Sequence, residues 1–220
     1  MKLFFKELIK KIFPELYLRY LTYSNLIKNK NSFLYSTGWM RSLKENRSVD
    51  NRGEYLPWMN FSIIQFLDDR FKKDLNLFEF GSGYSTFFYA SKVKNVTSIE
   101  HMKQWFDYLE PLIPSNVNLI FQKKDSNDKY CRMINQDNKK YDVIIIDGRD
   151  RVNCFKQSMN SLSLRGVIIL DDAHRKKYQD IFTISKKSGF KYLSIDGLKV
   201  AKSDIYRTTI FYKKENCLNI

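Results

Sequence analysis

Residues 75–86 read LNLFEFGSGYST, and this stretch decides the fold. Its first six residues form a short apolar run of the kind that is typical of a buried strand. Gly81 and Gly83 follow at once, and glycines at the turn from a strand to a helix allow a tight backbone and the close approach of a ligand. The helix expected next offers free N–H groups to polar or anionic ligand atoms. The stretch therefore predicts a strand, a ligand-binding loop and a helix, in that order.

Short apolar runs continue to alternate with helical stretches around this loop. The seven predicted strands are Leu75–Phe80, Val96–Ile99, Val117–Phe121, Tyr141–Asp147, Gly166–Asp171, Lys191–Ile195 and Tyr206–Tyr212. Most gaps between them hold predicted helices, namely Ser85–Ser91, Lys103–Leu112, Lys129–Asn135, Asn153–Ser161 and Lys176–Lys187. This alternation predicts an α/β fold, with a Rossmann-like, mostly parallel sheet and helices on both faces. Only a loop around Gly197 and Ser203 separates the last two strands, and parallel neighbours need a longer crossover, so we expect the last strand to be antiparallel.

The N-terminal part of the chain is predicted to be an extension of that sheet domain. Apolar residues at helical spacing alternate with lysines over residues 3–13, and Pro14 interrupts or restarts the helix. Three interpretations of this basic helix are open: contact with an anionic membrane surface, a cover for the domain, or a contact in a homodimer. Residues 36–58 look irregular. We therefore divide the chain into a helical and irregular extension over residues 1–58 and a domain over residues 59–220.

The composition of the 220-residue chain limits the classes of protein to consider. Its 17 Phe, 14 Tyr and 3 Trp argue against a disordered chain. Three cysteines without a Cys-x-x-Cys pair indicate free thiols in a reducing compartment such as the cytoplasm, and they favour neither a disulfide framework nor a zinc site. Because no apolar run approaches about twenty residues, no segment is expected to span a membrane. The net charge of +14 has two interpretations, a polyanionic partner or a lysine-rich composition from AT-rich coding.

A carboxylate about twenty residues past the glycine loop indicates a nucleoside-containing ligand. The second predicted strand leads into Glu100, where a carboxylate accepts hydrogen bonds from both ribose hydroxyls. Thr86 stands where the dinucleotide pattern has its third glycine, and Glu79 lies one strand residue before the loop. A carboxylate there holds the amino group of a methionine moiety, which NAD lacks; the alternative for Glu79 is an acid that caps the loop. The pattern therefore favours S-adenosylmethionine over NAD.

These motifs resemble those of class I S-adenosylmethionine-dependent methyltransferases. Residues 79–83, 99–100 and 141–148 carry the resemblance, which covers about residues 60–213. It implies a seven-stranded sheet with an antiparallel last strand, in which Glu79 and the loop bind the methionine part, Glu100 the ribose, and Asp125 approaches the adenine. His101 is expected to pack beside the adenine or to be structural, without a catalytic role. The expected cofactor-binding residues are Glu79, Gly81, Ser82, Gly83, Ser85, Thr86, Glu100, His101, Asp125 and Asp147.

Two further strand ends are unusually polar. Residues 146–151 read IDGRDR, and residues 170–175 read LDDAHR. Because ligands of such sheets bind outside the carboxyl ends of the strands, these groups are expected to emerge beside the cofactor. Three carboxylates at one place repel one another unless a cation intervenes. Two solutions are open: a divalent cation, Mg²⁺ or Mn²⁺, held by oxygen ligands, or neutralisation by Arg149, Arg151 and Arg175.

The polar strand ends also resemble known metal-binding and catalytic motifs. Asp147, Asp171 and Asp172 resemble the metal ligands of cation-dependent O-methyltransferases. His174 resembles the general base of macrocin-type sugar O-methyltransferases, and its alternative is a capping or surface histidine. A cation lowers the pKa of a sugar hydroxyl, and a base removes its proton as the methyl group transfers.

A longer resemblance covers nearly the whole chain after about residue 36. Its residues are 50–58, 81–86, 99–105, 147–154 and 216–218, and they resemble small methyltransferase-like proteins of microbial surface-polysaccharide settings and large viruses. It implies O-methylation of a saccharide acceptor. The expected catalytic residues, from the polar strand ends, are His174, Asp147 and Asp171. The expected saccharide contacts are Trp39, Trp58, Arg149, Arg151 and Arg175. Trp39 and Trp58, with Tyr55, either stack on the sugar in a lid or pack the N-terminal segment onto the sheet.

Two other functions stand beside sugar O-methylation. The net charge suits a nucleic-acid methyltransferase, but such enzymes that methylate amino groups usually carry an Asn/Asp-Pro-Pro-Tyr/Phe run at the end of the fourth strand. This chain has Asp147-Gly148-Arg149 there, so a nucleic-acid partner is disfavoured. The third hypothesis is a cofactor-binding scaffold or membrane-peripheral assembly protein without turnover, and the cluster of acids with a histidine counts against it.

Overall fold

The computed structural model describes Glu7 and residues 9–125, 127–136 and 138–220. It divides the chain into two compact units, Met1–Glu54 and Tyr55–Ile220. Tyr55 and Trp58, which are predicted to lie in the extension, belong to the larger unit.

The smaller unit is mainly helical. Its elements are α1 (Pro14–Tyr23), a π-helical turn (Ser24–Lys28), α2 (Phe33–Ser36) and α3 (Trp39–Glu45). The expectation of irregular structure over residues 36–58 is therefore wrong for α3. Gly38 precedes α3 with a φ of +84°, and a Cβ on it would lie 2.3 Å from the backbone of Asp50, so only glycine fits this turn. Ser42 Oγ joins α3 to the chain that follows by hydrogen bonds with the N–H and C=O groups of Val49.

All ten residues of α1 are described, and none of them is buried. Leu16, Leu18 and Tyr20 are 62 %, 63 % and 60 % exposed. Residues 9–12 are also helical, whereas residues 3–6 and 8 of the predicted basic helix lie outside the described residues. Contact of this helix with a membrane, or with a second copy of the chain, stays a prediction. Among the described residues, no helix has the length and apolar character needed to cross a bilayer.

In the described residues, the larger unit forms one seven-stranded sheet. The strands are β1 (Asn76–Phe80), β2 (Asn95–Glu100), β3 (Val117–Phe121), β4 (Tyr141–Ile146), β5 (Leu162–Leu170), β6 (Lys191–Leu198) and β7 (Ile205–Tyr212). The helices are α4 (Phe61–Asp68), α5 (Tyr84–Lys92), α6 (Lys103–Leu109), α7 (Lys129–Arg132), α8 (Arg151–Ser161) and α9 (Gln179–Lys187), with 3₁₀ turns at Glu110–Leu112, Met133–Asn135 and Lys176–Tyr178. The strand order is β3-β2-β1-β4-β5-β7-β6, and β7 is antiparallel to both its neighbours. The predicted fold class is confirmed, although Gly197 lies inside β6, paired with Tyr206, and not in the predicted loop.

The parallel pairing places the carboxyl ends of four strands side by side. Phe80 pairs with Ile99 on β2 and with Ile146 on β4, and Ile146 pairs with Leu170 on β5. All four side chains are fully buried, so the sheet core extends up to these strand ends. The residues that follow them share one edge, which we call the carboxyl edge, and this is where sheets of this type bind ligands.

Candidate functional site

The loop after β1 passes close to the loop after β4. Gly81 has a φ of +97°, a left-handed conformation that L side chains rarely adopt, and its N–H donates to the C=O of Ile99 at 2.9 Å. A Cβ on Gly81 would lie 2.8 Å from the Cα of Gly148. Both the conformation and the close contact require glycine here, so Gly81 shapes the turn.

Gly83 is a glycine that its protein surroundings do not require. Its backbone is extended, with a φ of 177°, which any residue adopts. Among the described residues, a Cβ on Gly83 would meet no atom outside its immediate neighbours closer than Ser85 Oγ, at 3.9 Å. The space beside Gly83 is therefore open, as expected where a ligand approaches the backbone.

Glu79 is fully buried beneath this loop. It accepts hydrogen bonds from the hydroxyl groups of Ser85 (2.5 Å), Thr86 (2.6 Å) and Ser98 (2.6 Å). Burial raises its pKa to about 7, against the opposing effect of the three hydroxyls. Thr86 Oγ1 in turn accepts the N–H of Gly83 at 3.0 Å. Glu79 thus fixes the loop through the first turn of α5.

The structure gives Glu79 this role in the loop in place of the predicted contact with a methionine amino group. A fully buried carboxylate with three hydroxyl donors presents no surface to a ligand, so its contacts match the capping alternative. The hydroxyls of Ser85 and Thr86 face Glu79, and Ser82 Oγ bonds to Ser98 Oγ at 2.7 Å. The loop therefore offers a ligand its backbone and the space at Gly83, not these side chains.

Glu100 ends β2 with one carboxylate oxygen already fixed. Its Oε1 accepts the backbone N–H groups of His101 (2.8 Å) and Met102 (2.7 Å), while its Oε2 receives no hydrogen bond from the described residues. His101 Nδ1 lies 2.9 Å from Glu100 Oε1, yet this nitrogen is buried and makes no hydrogen bond within the described chain. An oriented carboxylate with one open oxygen fits the predicted binding of ribose hydroxyls.

Aromatic rings lie around the loop, and two of them, Tyr84 and Trp105, are not among the predicted site residues. Tyr84, the first residue of α5, stacks on Tyr55 with ring centroids 4.9 Å apart and meets Trp105 edge-on at 5.9 Å. Trp105 Nε1 donates to the C=O of Ser82 at 3.0 Å. Trp105 lies 23 residues after Ser82, which explains why local sequence patterns carry no signal of this contact.

Three other expected ligand contacts stay predictions. Asp125 Oδ1 accepts the N–H groups of Asn127 and Lys129, both at 3.1 Å, and so holds the chain that leads into α7. Trp39 is the first residue of α3 in the smaller unit. Trp58, in the larger unit, has a buried Nε1 without a hydrogen-bond partner among the described residues.

Asp171 and Asp172 follow β5 as two buried carboxylates. Lys199 Nζ lies 2.9 Å from Asp171 Oδ2 and 2.9 Å from Asp172 Oδ1. Thr208 Oγ1 donates to Asp171 Oδ1 at 2.6 Å, and Arg175 pairs with Asp172 Oδ2 at 2.5 Å. Burial alone would raise the pKa of Asp172, but Lys199 and the neighbouring arginines outweigh burial and hold that pKa below its ordinary value.

The expected divalent cation does not fit these residues. Both carboxylate oxygens of Asp171 and of Asp172 already have cationic or hydroxyl donors. The described residues contain no group of three or more His, Cys, Asp or Glu side chains placed to hold a metal ion. The assignment of Asp147, Asp171 and Asp172 as metal ligands is therefore corrected to neutralisation by cationic side chains. Asp171, also expected to be catalytic, is fully buried and positions its neighbours instead.

Arg151 is a buried link between β4 and β5 and not the expected saccharide contact. Its guanidinium donates to the C=O groups of Asp147 (2.9 Å) and Asp171 (2.6 Å) and to the Asp147 carboxylate (2.8 Å). These bonds use the donors that a saccharide would need. Arg149 is exposed, and Arg175 is partly exposed while paired with an acid, so their contact with a saccharide stays a prediction.

Asp147 differs from the other two carboxylates of the cluster because part of it faces solvent. Its Oδ1 pairs with Arg151 at 2.8 Å, its Oδ2 receives no hydrogen bond from the described residues, and 24 % of the side chain is exposed. Burial and the negative charge of Asp171 raise its pKa to about 7, against Arg151 and Lys199. A carboxylate with a pKa near neutrality is suited to act as a general base.

His174 lies exposed on the chain after β5. Its ring meets Tyr206 edge-on with centroids 5.4 Å apart, and its Nδ1 accepts the N–H of Arg207 at 3.5 Å. These positions are compatible with both the predicted general base and the surface alternative, so the catalytic role of His174 stays a prediction.

Solved structures match the fold of this chain, whereas no family model and no curated protein sequence matches it. A methyltransferase from Pyrococcus furiosus is 22 % identical, with a TM-score of 0.52 over 69 % of this chain and 81 % of that one. The precorrin-6y C5,15-methyltransferase from Geobacter metallireducens GS-15 is 14 % identical, with a TM-score of 0.51 over 69 % of this chain and 86 % of that one. The tRNA (m1A58) methyltransferase TrmI from Aquifex aeolicus is 13 % identical, with a TM-score of 0.51 over 70 % of this chain and 68 % of that one. The chain therefore has the Rossmann-like fold of class I methyltransferases.

Proposed function

We propose that this chain is an S-adenosylmethionine-dependent methyltransferase. The observation that carries the proposal is the loop between β1 and α5, where Gly81 forms the turn and Gly83 borders open space. Beside this loop, Glu100 has one carboxylate oxygen fixed by backbone amides and the other open. This combination at the carboxyl edge fits a nucleoside-containing ligand. The fold shared with solved methyltransferases favours this cofactor over a dinucleotide.

The residues of the carboxyl edge suit the parts of this cofactor. The backbone of the loop would hold the methionine part, Glu100 the ribose hydroxyls, and His101 and Asp125 would lie towards the adenine. When bound, S-adenosylmethionine supplies an electrophilic methyl group on a positively charged sulfur. Asp147 follows β4 directly beside the loop, because its N–H donates to the C=O of Phe80 at 3.1 Å. A carboxylate there favours a cationic ligand.

We further propose that the methyl acceptor is a hydroxyl group of a saccharide. A sugar hydroxyl is a weak nucleophile at neutral pH and needs a base to take its proton. Asp147, with an open Oδ2 and a pKa of about 7, is suited to accept that proton, and exposed His174 is the second candidate base. Arg149 and Arg175 would donate hydrogen bonds to the sugar.

Binding of S-adenosylhomocysteine, the demethylated product, tests the cofactor directly. We expect it to raise the melting temperature of the wild-type chain. Glu100→Gln should weaken its binding at least about tenfold, because a hydrogen bond to a charged acceptor contributes about 1.5–3 kcal/mol. Glu110→Gln, at an exposed site, is the matched control and should bind as the wild type does. No binding by the wild-type chain in isothermal titration calorimetry would overturn the proposal.

A nucleic acid is the second candidate acceptor. The net charge of +14 favours a polyanionic partner, and a tRNA methyltransferase shares the fold. Incubation with a labelled methyl donor and, in parallel, surface polysaccharide or RNA separates the two acceptors. Label that survives nuclease digestion and is recovered as a methyl sugar after acid hydrolysis supports the saccharide. Label released by nuclease assigns the nucleic acid instead.

A further inference from the structure

The acidic cluster at the end of β5 holds a lysine between its carboxylates. Asp171 and Asp172 are adjacent in sequence and are 0 % and 3 % exposed. Lys199 Nζ lies 2.9 Å from one oxygen of each, and only 10 % of its side chain is exposed. Two carboxylates bridged by one cation are also the arrangement that oxygen-ligated Mg²⁺ or Mn²⁺ adopts, at shorter distances. The ammonium therefore occupies the position that such an ion would take.

The charges of the cluster balance without a further ion. With Asp147 ionised, three carboxylates meet three cationic side chains, and the six residues are Asp147, Asp171, Asp172, Arg151, Arg175 and Lys199. A divalent ion that entered the cluster would leave buried positive charge uncompensated, which is strongly unfavourable. The side chains of the cluster therefore need no further ion to balance their charges.

Lys199 is held in place from several sides. It directly follows β6 and forms an isolated β-bridge with Asn60. Asn60 Nδ2 lies 3.4 Å from Thr208 Oγ1, which donates to Asp171 Oδ1 at 2.6 Å. The ammonium also lies over the ring of Tyr206, 4.7 Å from its centroid, a favourable position for a cation. Backbone pairing, hydrogen bonds and an aromatic ring thus fix the position of the charge.

We propose that Lys199 is the built-in cation of this site and takes the place of a divalent metal ion. It is a positioning residue, because it holds Asp171 and Asp172, while Arg151 links the same strand end to Asp147. The inference rests on the proposed function in one respect only, namely that Asp147 takes the proton of a methyl acceptor. The lack of metal binding is a property of the folded chain alone and is measured without any acceptor.

Removal of the ammonium is expected to create a metal site. In Lys199→Ala, two buried carboxylates face a gap that Mn²⁺ fills with oxygen ligands. Lys199→Arg keeps a cation and should bind no Mn²⁺, and Lys191→Ala, at the exposed start of β6, is the matched control. Each protein is treated with EDTA, freed of chelator and titrated with Mn²⁺, and free Mn²⁺ is followed by electron paramagnetic resonance.

The expected result is that only Lys199→Ala takes up Mn²⁺, at one ion per chain, with a rise in melting temperature. Mn²⁺ bound by the wild-type chain and lost in Asp171→Asn would overturn the inference, as would a folded Lys199→Ala that binds none. If Lys199→Ala does not fold, the Mn²⁺ titrations of the wild-type chain and of Asp171→Asn alone test the inference. S-adenosylhomocysteine binding in the same wild-type samples tests the proposed function separately. A chain that binds neither ligand supports the role of Lys199 and contradicts the methyltransferase.

Discussion

Glu79 and Asp172 are both buried carboxylates at the carboxyl edge of one sheet, but their surroundings are opposite. Glu79 receives its hydrogen bonds from three hydroxyl groups, whereas Asp172 pairs with the cations of Lys199 and Arg175. Burial raises the pKa of Glu79 to about 7, while the cations hold the pKa of Asp172 below its ordinary value. Between these two acids, cationic donors outweigh burial at Asp172, whereas neutral hydroxyl donors do not outweigh burial at Glu79.

The carboxyl edge has two halves, one around Glu79 and the glycine loop and the other around Asp147, Asp171 and Asp172. The difference between the two acids suits what each half is proposed to bind. Hydroxyl donors hold Glu79 without adding positive charge beside the glycine loop, so a cationic cofactor is not repelled there. In the other half, fixed cations balance the carboxylates and leave Asp147 with an open oxygen towards the acceptor. One half is arranged to shape a loop, and the other is arranged to hold charge.

Asp171→Asn is expected to have the largest effect on stability, because it removes one carboxylate from the buried cluster of ion pairs. The amide cannot balance the charge of Lys199, which is buried with it. Removal of one partner from a buried ion pair costs about 3–5 kcal/mol. Urea unfolding measures this loss in the free energy of unfolding.

Asp196→Asn is the matched control for this substitution. Asp196 pairs with Arg207 at the surface, where both side chains are 45 % exposed. Such pairs contribute about 0–1 kcal/mol. If Asp171→Asn lost no more free energy of unfolding than the surface control, the cationic partners of Asp171 would not stabilise the fold. The proposed difference between this half and the half around Glu79 would then be wrong.

The second largest effect concerns Glu79 and depends on pH. Its pKa is raised from 4.5 to about 7 in the folded chain, so the folded state keeps the proton where the unfolded state releases it. The stability that this group contributes is full below pH 4.5 and is lost as the pH rises towards about 7. By linkage, the total loss is about 3 kcal/mol.

Glu79→Gln removes this titration and shows the effect by difference. From pH 4.5 to above pH 7, the free energy of unfolding of the variant should gain about 3 kcal/mol relative to wild type. Other titrating groups, Asp147 among them, cancel in this comparison. Glu110→Gln, at an exposed position, should track the wild type at every pH. A constant difference between Glu79→Gln and wild type would contradict a protonated, hydroxyl-bound Glu79.

The strands could be predicted from the sequence, whereas the partners of the acids could not. Residues 143–146 read VIII, and such a short, fully buried run is a local signal. Ser98 lies 19 residues from Glu79, and Lys199 lies 28 residues from Asp171, so these contacts depend on strand order. β6 and β5 are both antiparallel to β7, so they run in the same direction, and Lys199 reaches the carboxyl edge at the end of β6. The sequence therefore left metal and arginine as open solutions and did not indicate the lysine.

Gly83→Ala is expected to have the smallest effect on stability and a clear effect on ligand binding. Its extended backbone accepts any residue, and among the described residues the nearest atom outside its immediate neighbours, Ser85 Oγ, lies 3.9 Å from its Cβ position. The free energy of unfolding should therefore change by no more than about 0.5 kcal/mol. The added methyl group occupies space that the proposed cofactor needs, so the affinity for S-adenosylhomocysteine should fall about tenfold or more. Urea unfolding and calorimetry measure the two effects separately.

Gly81→Ala adds the same methyl group to the same loop and is the matched comparison. Its left-handed φ of +97° and the 2.8 Å approach to Gly148 make it costly without any ligand, by about 1–3 kcal/mol. The loop thus has one glycine that the protein requires and one that the proposed ligand would require. Equal losses of stability in both variants, with unchanged S-adenosylhomocysteine affinity in Gly83→Ala, would mean that the space at Gly83 holds no cofactor. The hydroxyl groups that hold Glu79 would then fix the conformation of the loop without contributing to a ligand site.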